Sequence, residues 1–423
     1  MREPVLVLDS PLNYSTQYRL LTRAPDGRLR GRESKWRGSM RREKLPRPSE
    51  KGRFHQRIRP RLLLLLTTSV IAVILLLVLG IFNTSSSSGP SGALVIDGEN
   101  GRIIQGLQIR STDGPCLVIR NSRNITVRDS EIGPCGGNGI EIFSSSSVKV
   151  VDSYVHPEFV VKSCCDTGDG VLAVLSSNVL VQGNVIAYGE SNVLLLGVKD
   201  TSVVGNFLLN PLGPFPRGTH AQVWGYGSAR SSNVTFEANY ALSSQDAKFK
   251  FPDGQADGFN AGYTDGVVMR DNYLRGGRHP YGCSYLIDNS ANNVQVLNNT
   301  ALDFGNCGIG LGSGTHQIVD GNRLYSSGLD QPFGNTALYV WQQYSAPCGP
   351  VQISNNVAVL IRPDGSLSSW WKGSGCDPTT MTGNTFGRPA IEMLTPVDSK
   401  NPAPSIPPRS YARRPVSPFS PSE

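Results

Sequence analysis

Cysteine is absent from the first 115 residues of this chain, and all eight of its cysteines lie between Cys116 and Cys376. None of them forms a Cys-x-x-Cys pair, which argues against the spaced ligand sets of structural zinc sites, so no metal site is predicted. All eight cysteines also follow the long hydrophobic run of the chain. This placement indicates an oxidising compartment and disulfide bonds.

Charge is scarce as well, and it is unevenly distributed. Residues 1–61 carry 17 Lys and Arg against 6 Asp and Glu, a balance of +11, so the rest of the +7 chain sums to −4. An acidic remainder argues against a nucleic-acid partner. The basic segment lacks apolar periodicity and is predicted to be disordered beside anionic lipid, with a specific cytoplasmic partner as the alternative.

One long hydrophobic run, Leu62–Phe82, follows this basic segment. Its 21 residues include only three polar ones, Thr67, Thr68 and Ser69, and they suffice to cross a hydrocarbon core of about 30 Å. Because basic residues cluster before the run and not after it, the positive-inside rule predicts a signal-anchor helix in a single-pass membrane protein. A cleavable signal peptide and a buried core helix are the alternatives.

The predicted organisation therefore has five parts. They are a cytoplasmic segment (1–61), a transmembrane helix (62–82), a Ser/Gly linker (83–92), a repeat domain (93–395) and a disordered Pro/Ser-rich tail (396–423). The C-terminal domain is expected on the periplasmic, lumenal or extracellular side. Nothing in the sequence fixes the oligomeric state.

Short alternating strands recur through 102–387, and each ends in a pair of small or Asn/Asp residues. The second members of these pairs, here called markers, are residues 107, 130, 153, 184, 206, 239, 272, 299, 322, 356 and 384, spaced 22 to 34 apart. A unit this short cannot bury its inward side chains alone, but stacked units share one core between parallel strands about 4.8 Å apart. The pattern predicts an all-β, single-stranded parallel β-helix of about eleven coils. Asn occupies eight markers, and we expect these side chains to form a ladder at left-handed corners.

This pattern resembles the right-handed parallel β-helix superfamily, which is pectate-lyase-like and includes polygalacturonases, alginate epimerases and phage tailspikes. The resemblance covers 102–387 and implies a fold without selecting one enzyme family, because the superfamily holds lyases, hydrolases, epimerases and pure binders. The grouped polygalacturonase motifs are poorly matched by DTGDG (166–170) and THA (219–221).

The repeat also predicts two disulfide bonds. Cys348 and Cys376 each lie eight residues before their markers, and Cys283 and Cys307 lie 16 and 15 residues before theirs, so each pair should be stacked in adjacent coils. The pairing of the other cysteines stays open. They are Cys116, Cys135, Cys164 and Cys165.

Residues in excess of the shortest repeat fall mostly after the markers, in 156–169, 210–219, 243–257 and 325–336. Insertions at one corner of successive coils would wall a groove suited to a linear polymer. Outward residues of the adjoining strands are the predicted substrate-binding groups, since aromatic faces stack on sugar rings. They are His220, Gln222, Trp224, Asn260, Tyr339 and Trp341, joined by Tyr285 from the neighbouring segment. The alternative is that these side chains pack beneath their own loops.

Charged residues concentrate in 247–258 and 274–285. Polyuronate lyases and epimerases need a cation beside the substrate carboxylate, a base and an acid. The predicted catalytic residues are Lys248, Lys250, Asp253, Asp257, Arg278 and His279. A hydrolase would instead use a carboxylate pair, Asp253 with Asp257 or Asp166 with Asp169. A solvated loop with ordinary surface charges is the plain alternative.

No cofactor is predicted, although the Asp-rich loops would also suit Ca²⁺. The expected function is binding of a polysaccharide and its modification, by a lyase or epimerase in preference to a hydrolase. The alternative is a non-catalytic carbohydrate-binding adhesin or surface scaffold.

Overall fold

The computed structural model describes residues 22–23, 29–30, 92–158, 168–213, 217–243, 257–276, 282–327 and 335–400. The chain separates into two compact units, Met1–Ser88 and Gly89–Glu423. In the first, strands Thr22–Arg23 and Leu29–Arg30 pair antiparallel. The predicted membrane span, 62–82, lies outside the described residues, among which no helix has the length and hydrophobicity to cross a bilayer.

The second unit consists of three parallel sheets, and each turn of the chain adds one strand to each sheet. The first sheet holds Leu94–Asp97, Leu117–Arg120, Ile140–Phe143, Val171–Val174, Val193–Leu196, Ala221–Trp224, Phe259–Gly262, Cys283–Ile287, Cys307–Leu311, Thr336–Val340 and Trp370–Lys372. The second holds Ile103–Gln105, Arg123–Arg128, Ser146–Val151, Leu180–Gln182, Lys199–Val204, Ser231–Glu237, Thr264–Arg270, Asn292–Leu297, Gln317–Asp320, Val351–Ser354 and Thr379–Thr382. The third holds Gln108–Ser111, Glu131–Cys135, Tyr154–Val155, Val185–Ala187, Phe207–Leu209, Tyr240–Leu242, Tyr273–Arg275, Thr300–Leu302, Arg323–Ser326, Val357–Ile361 and Thr385–Phe386, with Leu367–Ser368 antiparallel at its end.

These turns are called coils 1–11 in chain order, and they confirm the predicted parallel β-helix of about eleven coils. Because side chains alternate along each strand, every second side chain points into a core that all the coils share. Equivalent positions of successive coils stack there. In the first sheet, for example, Ile119 pairs with Ile142 and Ile142 with Ala173, and all three are fully buried.

The asparagine ladder runs at the predicted markers from Asn184 in coil 4 to Asn384 in coil 11. Asn239 Nδ2 donates to Asn272 Oδ1 at 3.0 Å, and Asn272 Nδ2 donates to Asn299 Oδ1 at 3.0 Å. The expected left-handed conformation, however, belongs to the residue before the marker. Ala238 and Asp271 have φ of 51° and 56°, because the chain reverses there and the Asn side chain then turns inward to bond the neighbouring coils.

Both disulfide bonds predicted from the repeat register are present. Cys283 joins Cys307 with a Cα–Cα distance of 4.5 Å, and Cys348 joins Cys376 with 4.1 Å. Cys116 joins Cys135, a pair that the sequence left open. Cys164 and Cys165 lie outside the described residues.

A C-terminal helix, α1 (Arg388–Lys400), extends past residue 395, where the sequence analysis ended the domain. Ala390 and Leu394 are one helical turn apart and pack with Tyr325 and Val359 on the outer face of the third sheet. Both contacting residues lie within the predicted repeat domain, and the helix continues from there to Lys400. The rest of the predicted tail, 401–423, lies outside the described residues.

Candidate functional site

The strands that flank the predicted insertions meet at one corner, where the chain leaves the third sheet of one coil and enters the first sheet of the next. This is called the first corner, and the insertions that connect across it are 156–169, 210–219, 243–257 and 325–336. Parts of these insertions lie outside the described residues, as does 277–281. Five of the predicted catalytic residues fall there, and their roles stay predictions. They are Lys248, Lys250, Asp253, Arg278 and His279.

The outer face of the first sheet follows the predicted alternation. The inward residues are fully buried: Ala221, Val223, Phe259, Ala261, Leu338 and Val340. The outward residues form one row along the axis, in the order Gln222, Asn260, Leu286, Gly310, Tyr339 and Trp371. Gln222, Asn260 and Tyr339 are nevertheless buried, which favours the alternative that they pack beneath other parts of the chain.

A second outward row contains the two tryptophans singled out from the sequence. Trp224 is half-buried and lies over Gly262, where an added Cβ would come within 2.0 Å of its ring. Trp341 is 39% exposed. Only the second therefore offers a substantial free ring face.

His220 does not face the groove as predicted. It lies at the first corner, is 2% exposed, and its Nε2 is 2.9 Å from Ser243 Oγ, which follows the third-sheet strand of the same coil. Burial lowers its pKa to about 3, so the ring is neutral at ordinary pH. The chain bends at this position, and strand alternation cannot be extended through it.

Tyr285 is also misplaced by the prediction, because it points into the core. It is in register with Phe259 and Ile309, is fully buried, and stacks on the Phe259 ring with a centroid distance of 5.3 Å. Its hydroxyl donates to the Asn272 carbonyl at 3.2 Å. Burial raises the pKa of the hydroxyl well above its usual range, so Tyr285 contributes packing and cannot contact substrate.

Polar residues stack at the first corner, two positions before the inward residues of the first sheet. Asn138, Asp169 and Asp257 share this position in coils 3, 4 and 7. Asn138 Oδ1 accepts from Asp169 N at 2.7 Å, Asp169 Oδ1 from Ser191 N at 3.0 Å, and Asp257 Oδ1 from Cys283 N at 2.8 Å. Each side chain thus satisfies a backbone N–H of the next coil.

Asp257 is the one predicted catalytic residue that the structure describes. Burial raises its pKa to about 7, although the Cys283 N–H and the Asn260 amide counteract this, and the charge of Asp288 adds to the increase. Asn260 Nδ2 donates to Asp257 Oδ2 at 2.8 Å. A carboxyl with a pKa near 7 can hold a proton at neutral pH, as a general acid must.

Asp288 is not among the residues predicted from the sequence, and it follows the coil 8 strand at the level of Gly262 on the second outward row. Desolvation raises its pKa, although part of the residue remains in contact with solvent, and a hydrogen bond from Tyr344 lowers it. Tyr339 lies across Gly310, where an added Cβ would be 2.7 Å from its hydroxyl. Burial raises the pKa of Tyr339, and so do the negative charges of Asp257 and Asp288. Two carboxyls and a phenol therefore converge on coils 7–10.

Asp169 forms a separate polar group closer to the N-terminal end. Burial raises its pKa to about 6, the positive charge of Arg217 lowers it, and Glu141 raises it. Arg217 is buried and donates to Gln222 Oε1 at 2.6 Å. The proposed partner of Asp169, Asp166, lies outside the described residues.

Within the described ranges, no group of three or more His, Cys, Asp or Glu side chains is arranged to hold a metal ion. The carboxyls of coils 7 and 8 have amide and hydroxyl neighbours instead, through Asn260 and Tyr344.

A family model described as right handed beta helix region matches residues 80–186, which end in coil 4. No curated protein has a significantly similar sequence. Solved structures give broader matches. Alginate lyase from Paenibacillus sp. is 9% identical over 68% of this chain and 99% of that chain, with a TM-score of 0.39.

The catalytic domain of an alpha-1,3-glucanase, solved with tetrasaccharides, is 13% identical over 70% of this chain and 63% of that chain, with a TM-score of 0.46. PfbA, a surface adhesin of Streptococcus pneumoniae, is 8% identical over 70% of this chain and 82% of that chain, with a TM-score of 0.32. Likeness at this level concerns the fold alone: the chain is similar to right-handed parallel β-helix proteins.

Proposed function

We propose that the chain binds a polysaccharide along the outer face of the first sheet and hydrolyses it with Asp257 and Asp288. The observation that carries this proposal is that two desolvated carboxyls on adjacent coils, Asp257 and Asp288, have raised pKa values and lie close enough for their charges to act on each other and on Tyr339. Paired carboxyls are the usual means of glycosidic bond hydrolysis. Hydrolysis is proposed in preference to β-elimination because the described groups at this place are two carboxyls with a raised pKa, the pair of groups that glycosidic hydrolysis uses.

Asp257 is the proposed general acid, because it is the carboxyl with a pKa raised to about 7. It would transfer its proton to the glycosidic oxygen as the bond to the anomeric carbon breaks. Asp288, as the carboxylate, would remove a proton from the attacking water or attack the anomeric carbon itself, and the anomer released distinguishes the two. Asn260, through its amide on Asp257, is a positioning residue.

The test measures turnover of neutral glucans, pectate, alginate and glycosaminoglycans by reducing-end release, with ultraviolet absorbance as the readout for elimination. Asp257→Asn and Asp288→Asn should each lower kcat by at least about 100-fold while the fold is kept. Asp169→Asn is the matched control, because Asp169 occupies the same corner position three coils earlier. Equal reductions of kcat by Asp169→Asn and Asp257→Asn would contradict the assignment of Asp257 as the acid. Formation of an unsaturated product would show that the reaction is elimination and not hydrolysis.

A non-catalytic glycan-binding protein is the second candidate. The observation in its favour is that Asp257 accepts a backbone N–H just as Asn138 does, which a purely structural side chain would also do. Binding without any turnover, unaffected by Asp257→Asn, would establish this alternative.

We also propose that residues 62–82 anchor the protein in a membrane, with the β-helix on the extracytoplasmic side. The support is the uncharged run of 21 residues, the basic cluster before it and the restriction of cysteine to the residues after it.

A further inference from the structure

Exposed aromatic rings are rare on the described surface, and two of them adjoin each other. Three aromatic side chains are substantially exposed among the described residues, Tyr226 at 40%, Trp341 at 39% and Trp371 at 41%. Trp341 and Trp371 lie on the outer face of the first sheet at coils 10 and 11. Two indole rings that stay exposed to water do not contribute the free energy that burial of their apolar surface would give. Such an exposed pair therefore indicates a binding surface.

The two indoles form an angled cradle. Their ring centroids are 5.8 Å apart and their planes meet at 74°. Tyr339 adds a third ring, 6.3 Å and 62° from Trp371. Gly373 makes room for the arrangement, because a Cβ there would lie 2.4 Å from Trp341 Cδ1 and 2.8 Å from Trp371 Cη2.

This cradle continues the face that carries the proposed carboxyls. Trp371 ends the outward row that contains Asn260, and Tyr339 connects the two places, since it contacts Trp371 and its pKa responds to Asp257 and Asp288. From coil 8 to coil 11 the distance along the axis is about 14 Å, at about 4.8 Å per coil. A pyranose unit advances a polymer by about one coil, so roughly three units separate the carboxyls from the cradle.

Toward the other end the outer face differs. Leu194, Leu196 and Val174 are buried there and pack with Trp224, and the exposed Tyr226 lies in the turn after the coil 6 strand, not on the strand. Among the described first-sheet strands, the exposed stacking surface is therefore on the coil 11 side.

Charge on this face indicates the class of polymer. Among the described outward positions of the first sheet between coils 7 and 11, the carboxyls are Asp257 and Asp288. An ionised Asp288 repels a polyanionic chain, so the occupant that fits this part of the face is uncharged.

We propose that Trp341 and Trp371 form a distal subsite that stacks on a neutral pyranose ring, so that the polymer runs parallel to the helix axis from the carboxyls toward coil 11. The position of the reacting bond rests on the proposed function. The subsite itself does not, because stacking requires no turnover.

The test uses the full chain with Asp257→Asn to suppress turnover, titrated calorimetrically with laminari-, cello- and xylo-oligosaccharides of two to six units and with alginate oligosaccharides. Trp371→Ala and Trp341→Ala should each weaken binding of the hexasaccharides roughly 2- to 12-fold, as expected for loss of one aromatic stacking contact. The disaccharides should bind equally to all variants. Trp371→Phe should restore part of the affinity, and Gly373→Ala should weaken binding with both rings retained.

Val95→Ala is the matched control, since Val95 is 46% exposed on the same sheet at coil 1. With catalytic carboxyls intact, the tryptophan variants should raise KM for long substrates and leave kcat unchanged. The subsite would be refuted by an equal loss of affinity in Val95→Ala or by unchanged affinity in both tryptophan variants. It would also be refuted if alginate bound more tightly than every neutral series, or if no oligosaccharide bound. If the protein turns substrate over and the tryptophan variants behave like the wild type, the subsite is wrong and the proposed hydrolase activity is retained. If binding depends on the tryptophans but no turnover occurs, the subsite is retained and the hydrolase proposal is wrong.

Discussion

Replacing Asn272 with leucine tests the asparagine ladder that connects coils 4 to 11. Asn272 is 1% exposed, and its side chain makes four hydrogen bonds. Its Oδ1 accepts from Asn239 N and Asn239 Nδ2, each at 3.0 Å. Its Nδ2 donates to Phe236 O at 2.9 Å and to Asn299 Oδ1 at 3.0 Å.

Leucine has a similarly branched side chain but can make none of these bonds. Asn239 N and the carbonyl of Phe236 lose their Asn272 partners, whereas Asn239 Nδ2 keeps its bond to Val203 O at 2.8 Å and Asn299 Oδ1 still accepts from Asn272 N at 3.0 Å. Orphaned buried groups cost about 1–3 kcal/mol each, so even the low end gives a loss of about 2 kcal/mol in the free energy of unfolding. Urea denaturation followed by circular dichroism measures this loss.

Asn100→Leu is the control, because Asn100 is exposed and accepts one bond, from Asn124 Nδ2 at 2.8 Å. Its effect should stay within about 0.5 kcal/mol. Asn239→Leu should resemble Asn272→Leu, and the double variant should lose less than the sum, because the two side chains share a bond. A loss below about 1 kcal/mol for Asn272→Leu, or strict additivity, would refute the reasoning.

Three further predictions concern the cross-links, the buried acid and the topology. Non-reducing peptide mapping should show Cys348 joined to Cys376, and Cys348→Ser should cost about 3 kcal/mol because the bond closes a loop with a separation of 28 residues; a free thiol there would contradict the coil register. Asp257 has a folded pKa of about 7 against an ordinary value of 3.8, so its contribution to stability is present below about pH 4 and is lost as pH rises to about 7. Asp257→Asn should flatten that part of the stability profile, and identical profiles would mean that the carboxyl is not desolvated. A reporter fused at residue 50 should read cytoplasmic and one at residue 423 external, and the reverse would end the anchor hypothesis.

The sequence predicted the coil count and the ladder because the repeat is local. A small pair recurs at the same point of every coil, so the chain can be aligned with itself and stacked partners such as Cys283 and Cys307 follow. The same alignment failed where insertions interrupt it. Tyr285 follows 277–281, and without the register set by Phe259 its inward orientation could not be assigned.

The candidate site was less accessible to prediction because it depends on contacts between coils. Asp288 is separated from Tyr344 by 56 residues in sequence, yet the two side chains bond because coils 8 and 10 are two steps apart. The Tyr339 ring lies toward the carboxyls over Gly310 of the intervening strand, where a larger residue would clash with it. A glycine opposite an aromatic residue in adjacent repeats was the available sequence signal, and Gly373 beside Trp341 repeats it.

The structure of the first corner indicates that the ionisable carboxyl of Asp257 serves catalysis and not folding. Asn138 satisfies the backbone N–H of the next coil from the same position with a neutral amide, so the corner does not require a carboxylate. Desolvating a carboxyl costs stability at neutral pH, and Asp288 beside it increases that cost. An asparagine would keep the bond to Cys283 N without this cost. Asp257→Asn should therefore raise the free energy of unfolding at pH 7 while it abolishes turnover, and a variant that loses both stability and activity would show that the carboxylate is structural.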